Sequence, residues 1–449
     1  MWLVVAMSNI NLILRSLIMS MTKLTNAQWV LAGLAAELGL DKESWKTRVN
    51  EAYDWYKSHT MEEMLEIAKE DTNTVLWSYV VALQAIEKGE PVHTPVRLDW
   101  GSSGISILSC VFRDAIGLQN TSSIRVDKPL GVYGLLMEKM GLDPHDKEAK
   151  LIVKKKMTLP YVYGGDSGVK HNLHKIVSFT GTDDPLVAFG YVYGSLFPSA
   201  KEAREAFLNA WDSDTCMYSW KAPDAFQCRV AIEESIDTTF TLYGAEEALV
   251  RVDGQVQKLG PITCHLGLPK ATTIAKGDQG SRGIGANVVQ STDAYILREL
   301  ILRGKATYLK DIFDNKVKDK VGDISMYKDT NLYQYIDIFY KTKVPSLAIL
   351  DAIPKDTKEV FLPAEMYAAI AEEVKTLGKN YRILPVHDEF GVLPSKVQTL
   401  RENANRIFAG IYKSNLGAYW NEQFDMNIHI NDFDQKVYED ILNSDYLIC

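Results

Sequence analysis

Apolar residues recur at helical spacing over residues 25–90: Trp29, Leu31, Leu34 and Leu38, then Met61, Met64, Leu65, Ile67 and Ala68. The pattern predicts amphipathic helices, with Gly39 and Asp41 punctuating the first break. At 92–98, VHTPVRL, it changes to a short strand that ends at Asp99. WGSSG (100–104) is then a tight turn, and ISILSCVFRDAI resumes the helical period. Around 131–160 come GVYGLLMEKMGL and the strongly basic KLIVKKKMTLP, where Pro160 is expected to end or kink the helix before it. Residues 250–285, rich in glycine, proline and short apolar runs, read as a protruding hairpin or loop. ANVVQSTDAYILRELIL (286–302) predicts a helix, 303–375 mixes charged helix with proline-containing loops, and RILPVHDEFGVLP (382–394) reads as strand, turn and strand. Strands interspersed with helices, without a repeat or long linker, indicate an α+β fold.

A chain of 449 residues is too long for one small core, so two or three subdomains are expected. With 46% hydrophobic and 24% charged residues the composition is that of a soluble globular protein. A formal charge of -9 argues against a surface that coats polyanions, but leaves room for a local basic channel. Cys110, Cys216, Cys228, Cys264 and Cys449 form no C-x-x-C pair, so no zinc site or disulfide framework follows and a reducing cytoplasm is expected. The opening MWLVVAMSNINLILRSLIMSM places Arg15 too late for a signal peptide and is too short and polar for a membrane span. Residues 1–24 therefore read as an apolar lead-in that packs on another surface, and no membrane partner is expected.

Three stretches carry candidate chemistry. Asp99 closes a strand and precedes Gly and Ser, a pattern that on its own suits a turn and helix cap. Asp388 stands likewise at a strand end with a glycine shortly after it. Two such aspartates on neighbouring strands suit a pair of Mg²⁺ ions, which accept one or two carboxylates together with substrate phosphates and water. Ions paired in this way serve phosphoryl and nucleotidyl transfer. In KLIVKKKMTLPYVYGG (150–165), Lys155 and Tyr163 lie two helical turns apart, followed by Gly164. A cation there suits a triphosphate and a ring suits a base pair, although lysines near a helix end also favour the macrodipole.

Acid, basic helix and second acid in this order resemble the single-subunit RNA polymerases of bacteriophages and mitochondria. LDWGSSGISILSCVFRD (98–114) is similar to that family's first palm motif, and KKKMTLPYVYGG to its fingers-helix motif K…M-T-L-x-Y-G. NVVQSTDAYILREL (287–300) resembles N-F-V-H-S-Q-D-x-x-x-L-R, and PVHDEFGVLP resembles the second palm motif H-D-S-F-G. GVYGLL (131–136) is similar to the fingers segment that carries a tyrosine, and EDILNSDYLIC to the C-terminal foot. The order holds from about residue 25 to the end.

The resemblance implies a right-hand polymerase fold: palm-associated helices and the first palm motif over 25–115, fingers over 116–302, an insertion over 303–375, and the second palm motif with the foot over 376–449. It implies that Asp99 and Asp388 hold two Mg²⁺ ions, with the Trp100 carbonyl as a further ligand. Lys154 or Lys155 would contact the triphosphate, and Tyr161 or Tyr163 would test the sugar and place the next base, with Gly164 beside them. The register stays open, because aligning on MTLPY puts Val153 at the lysine position whereas aligning on YG selects Lys155 and Tyr163. Arg113 and Tyr133 would support nucleotide and template; Asn287, Gln290 and Asp293 would line the primer-side minor groove; and His387 would flank the metal acid.

The family's D/T-x-x-G-R motif, thumb and N-terminal region do not occur in this chain. In that respect the chain is similar to the larger, catalytic subunit of the heterodimeric RNA polymerase II of N-four-like phages. The expected activity is DNA-directed RNA synthesis in the cytoplasm of an infected bacterium, with DNA template, nascent RNA and ribonucleoside triphosphates. A second subunit carrying the absent parts is expected, as is a single-stranded-DNA-binding accessory protein. Two other readings stand beside it. A family A DNA polymerase would carry S-Q-I-E after the first acid, where this chain has Gly, Ser, Ser and Gly. A polymerase-like subunit that binds nucleic acid without catalysis would suit the shifted fingers motif.

Overall fold

A computed structural model describes residues 21–176, 184–210, 215, 217–231, 233–242, 249–252, 255–258, 262–271, 278–319 and 327–449. The expected lead-in therefore lies almost wholly outside the described residues. Where they begin, the Thr22 amide and hydroxyl donate to the two carboxylate oxygens of Asp445 at 2.7 and 2.8 Å. Among the described residues no helix is long and apolar enough to cross a membrane.

Four helices lead: α1 (Asn26–Glu37), α2 (Trp45–Ser58), α3 (Met61–Glu70) and α4 (Thr74–Glu87). Each begins where a polar side chain can satisfy a free amide of its first turn: Thr25, Ser44, Thr60 and Asn73. Trp29 through Ala35 of α1 are all buried, which makes this helix an axle rather than a surface element. Gly33 permits the approach of α4, since a Cβ there would lie 2.6 Å from the Tyr79 ring. The Tyr79 hydroxyl in turn accepts from the Arg97 amide at 3.0 Å, tying α4 to strand β1 (Val96–Asp99).

Beyond β1 the chain turns into α5 (Ser103–Val111) and then α6 (Val132–Lys139). The basic segment is one continuous helix of three pieces: α7 (Lys147–Ile152), a π-helical turn over Val153–Thr158, and α8 (Leu159–Val162). Pro160 does not end it at once; the helix passes two residues further and stops at Gly164, whose φ of 90° suits glycine. Helix α9 (Ser167–Ile176) starts against this turn so closely that a Cβ on Gly168 would overlap the Lys156 carbonyl oxygen. Pro160, four residues after Lys156, has no N–H to offer that carbonyl.

Helices α10 (Pro185–Leu196) and α11 (Pro198–Asn209) follow, then the hairpin of β2 (Met217–Lys221) and β3 (Gln227–Ala231). Two antiparallel pairs follow, which begin before the stretch 250–285 expected to form a hairpin or loop and extend into it. One joins β4 (Glu233–Leu242) to β7 (Ile262–Ala271), the other β5 (Leu249–Val252) to β6 (Gln255–Lys258). Helix α12 (Asp278–Arg303) then crosses beneath α11, β3 and α5.

Residues 302–377, nearly the expected insertion, build a second hydrophobic cluster around Leu309, Leu347, Leu362 and Ile370. It contains α13 (Ala306–Lys316), β8 (Val317–Asp319), α14 (Tyr333–Thr342), β9 (Val360–Leu362) and α15 (Ala364–Thr376). Arg303 locks it to the main body through Glu299 at 3.4 Å and Glu373 at 2.7 Å. The chain returns through β10 (Leu384–Val386) and β11 (Glu389–Val392), then α16 (Val397–Lys413). Strand order β1-β11-β10 gives a small antiparallel sheet beneath a mostly helical body, an α+β architecture. Val96, Leu98, Phe390 and Val392 are buried on one face, while Arg97 and Asp99 alternate to the open face.

Gly168→Ala forces a methyl group into the Lys156 carbonyl, where backbone faces backbone and cannot yield cheaply. We expect a loss of roughly 2 kcal/mol or more of folding stability. Urea unfolding followed by circular dichroism checks this, and an unchanged midpoint would count against so close a contact.

Candidate active site

The sheet register decides the site. Asp99 at the end of β1 stands opposite Glu389 at the start of β11. The two-residue turn between Val386 and Glu389 is His387–Asp388, with His387 at φ 58°, a left-handed conformation that histidine adopts more readily than most residues. The Trp100 amide donates to the Asp388 carbonyl at 3.1 Å, so the two aspartates sit on adjoining chain segments. The Ser103 hydroxyl donates to Asp388 Oδ2 at 3.4 Å. On its other side Asp99 exchanges two backbone hydrogen bonds with Cys449, at 3.0 and 3.2 Å, which places the chain end in the site.

Asp99, Trp100 and Asp388 form part of the lining of a cleft of about 860 Å³. Opposite them lies one stripe of the basic helix: Lys147, Lys150, Leu151, Lys154 and Thr158. Tyr133 and Tyr163 complete the wall, with Lys154 Nζ 5.4 Å from the centre of the Tyr133 ring. Tyr163 packs on the first turn of α5, where a Cβ on Gly104 would meet its hydroxyl at 2.5 Å. That glycine makes room for the ring.

The π turn resolves the open register. Val153–Thr158 holds one more residue per turn than an α-helix, which rotates the preceding segment by about one residue, or 100°. Lys154, rather than Lys155, is thereby carried to the cleft, whereas Lys155 is exposed and outside its lining. Tyr163 enters the cleft, but Tyr161 does not. It is 2% exposed, packed on Phe189 and Tyr193, with the Arg204 guanidinium 4.0 Å from its ring centre. Of the two open pairs, Lys154 and Tyr163 line the cleft, and Lys155 and Tyr161 do not.

Arg113 lies elsewhere. Just past the end of α5, its guanidinium donates to the carbonyls of Tyr412, Ser414 and Asn431 at 3.0, 2.8 and 3.4 Å. It braces the C-terminal region and does not line the cleft. Asn287 donates to Gly283 within its own helix, and Gln290 is exposed; neither lines the cleft. Gly164 serves as the helix stop. His387 is exposed in its turn beside Asp388.

Charge sharpens the picture. Enclosure by the cleft walls raises the Asp99 carboxyl above its usual range, with Asp388 and then Glu389 adding repulsion while Lys42 and Lys154 oppose it. Asp293 is pushed up to about 6, first by burial and then by Asp388, with His387 acting against. Burial, then Asp293, pushes the Tyr163 hydroxyl up to about 12, so the ring stays neutral. Burial also raises Tyr133, against a hydrogen bond with Ser102. Glu389 is held by Arg97 at 3.4 Å.

Among the described residues no group of three or more His, Cys, Asp or Glu side chains closes a metal cage. Two carboxylates that repel each other at an open cleft with room for more than a phosphate nevertheless fit Mg²⁺, which takes its other ligands from phosphate and water. Lys42, Ser103 and the Cys449 end were not anticipated. Lys42, paired with Asp41 at 2.9 Å and acting on Asp99, precedes that acid by a stretch of three helices, and nothing in its local sequence marks it. No protein-family model and no curated protein matches this chain.

Since folded Asp293 keeps its proton to about pH 6, against an ordinary 3.8, its burial costs nothing below pH 4 and progressively more as pH rises through 6. In chelator, Asp293→Asn should therefore gain stability over the parent between about pH 4 and 6 and hold that gain above. Melting temperatures across this range test it; a difference that does not vary with pH would speak against the assignment.

Proposed function

We propose that this chain is the catalytic subunit of a DNA-directed RNA polymerase with a right-hand palm and fingers. The supporting observation is that one cleft gathers Asp99, Asp388, Tyr133, Lys154 and Tyr163 from four separate segments. Those are the residue types that template-directed nucleotidyl transfer requires: acids for metal, a cation for the triphosphate, and rings for the base pair.

Asp99 and Asp388 would hold two Mg²⁺ ions, which when bound activate the attacking hydroxyl and neutralise the leaving phosphate. Ser103 aims the Asp388 carboxylate. Lys154 supplies positive charge toward the phosphates, and its contact with Tyr133 keeps it extended along the cleft wall. Tyr163, neutral and propped on Gly104, offers a flat face with a hydroxyl that can meet a ribose. The turn Gly101–Gly104 presents no bulky acid to exclude a 2′-hydroxyl, which favours ribonucleotides over the DNA-polymerase reading.

Asp388→Asn should lower RNA synthesis by roughly a thousandfold or more, the loss of several kcal/mol of charge stabilisation. Lys154→Ala should raise the KM for nucleotide or lower kcat by about ten- to a hundredfold, as for a lost charge-assisted contact, while Lys155→Ala changes either by less than about threefold. Steady-state kinetics on a primed template decide the pair, and equal effects at both lysines would undo the register assigned to the basic helix.

A second subunit would supply the absent D/T-x-x-G-R motif, thumb and template contacts. Transcription of single-stranded template by the isolated chain should therefore be feeble until that subunit is added. Full activity of the chain alone would remove the need for a partner.

A further inference from the structure

The tip of the β2–β3 hairpin, APDAF (222–226), buries its first four residues and exposes the fifth. Phe226 is 54% exposed, while its neighbours Ala222 and Ala225 fold back through the bonds Ala222 N–H to Phe226 O and Ala225 N–H to Ala222 O, both 2.9 Å. Ala225 holds φ 62°, a strained value for a residue with a Cβ. The Arg298 guanidinium of α12 lies 4.4 Å from the centre of the Phe226 ring. Arg298 is itself fixed by a two-pronged pair with Asp224, Nε to Oδ2 at 2.5 Å and Nη2 to Oδ1 at 3.0 Å. Trp220 Nε1 donates to Ser291 at 3.0 Å and pins the hairpin to the same helix.

A lone exposed phenylalanine is unremarkable. This one is different in being held by a strained turn, a buried acid and a locked cation, all of which set the ring in one orientation. We propose that Phe226, backed by Arg298, is a stacking platform for an unpaired base of a single nucleic-acid strand that runs along α12, a proposal that rests on the polymerase reading above. Flat aromatic faces paired with guanidinium planes bind bases without regard to sequence. A protein partner would need a contiguous apolar patch, whereas the next residues of β3 at the surface are Gln227 and Arg229. Asp293, which feels the field of Asp388, precedes Arg298 on the same helix by five residues, about 7.5 Å of helix rise.

The test places 2-aminopurine at successive positions of a short single-stranded RNA, and of the matching DNA, and titrates each with the full chain. Quenching centred on one position is expected, with the better-bound of the two oligonucleotides identifying product or template as the strand. Phe226→Ala should abolish that quenching and weaken binding about tenfold, while Phe226→Trp preserves both. Binding and quenching unchanged in Phe226→Ala would overturn the platform and leave the polymerase reading standing. Failure of the parent chain to bind either oligonucleotide at low salt would overturn the platform, whereas the polymerase reading, which leaves template contacts to a second subunit, stands or falls on the Asp388→Asn kinetics. Unchanged oligonucleotide binding with loss of a protein partner would reassign the ring to an interface.

Discussion

The antiparallel pairing of Val96–Asp99 with Glu389–Val392 is the constraint on which the site depends. It joins segments so distant that Ser103 reaches Asp388 across 285 positions of sequence. Asp99 meets Glu389 across the strands, and its own amide and carbonyl turn the other way to Cys449. Alternate residues of an antiparallel ladder face away from their partner strand in this manner, so the chain end completes the ladder where β1 would otherwise be an edge. Each backbone bond contributes only about 1 kcal/mol. Their collective effect is positional, since a slip of one residue would turn Asp99 into the core and Leu98 into the cleft.

That register imposes a cost in charge. Asp99, Glu389 and Asp388 crowd one end of the sheet, and Asp293 approaches from α12. Like charges opposite one another destabilise a sheet. The surrounding cations lessen the repulsion without cancelling it: Arg97 on Glu389, Lys42 and Lys154 around Asp99. A cleft that keeps excess negative charge at its floor and a line of lysines along its wall has the charge layout that the proposed nucleotidyl transfer calls for. By contrast, the buried Arg303, with Glu299 and Glu373 around it, is neutralised within the protein and serves to join the second hydrophobic cluster to the first.

Much of this was legible in the sequence because strand ends and helix starts leave local signs. Asp99 and Asp388 were marked by the shift from alternating to helical periodicity and by the glycines that follow. The helices of 25–90 were marked by Thr25, Thr60 and their partners Gln28 and Glu63, which close capping boxes in the structure. Arg113 was misplaced because an arginine beside a motif gives no sign of which atoms its guanidinium will meet. Here three carbonyls from the C-terminal region claim it, and they lie about 300 positions away. Tyr161 was ambiguous for a related reason: two tyrosines two residues apart at the end of a helix point in different directions, and only packing against Phe189 and Tyr193 assigns one to the core.

The basic helix shows how a mismatch in sequence can become a feature of structure. Aligned on MTLPY the lysine position falls on Val153, one residue before Lys154, and this mismatch cannot be looped out, because both flanks of the helix are buried through Val153 and Met157. Widening one turn to a π-helix absorbs it within the cylinder and keeps both apolar anchors at 0% exposure. The wide turn also tolerates Pro160, which a regular helix would resist because of the missing N–H. The lysine that faces the acids is then Lys154, and Tyr163, released by the helix stop at Gly164, swings onto Gly104 beside it. Spacing along the chain and position in the cleft thus part company by one residue, and the backbone geometry of Val153–Thr158 accounts for the difference.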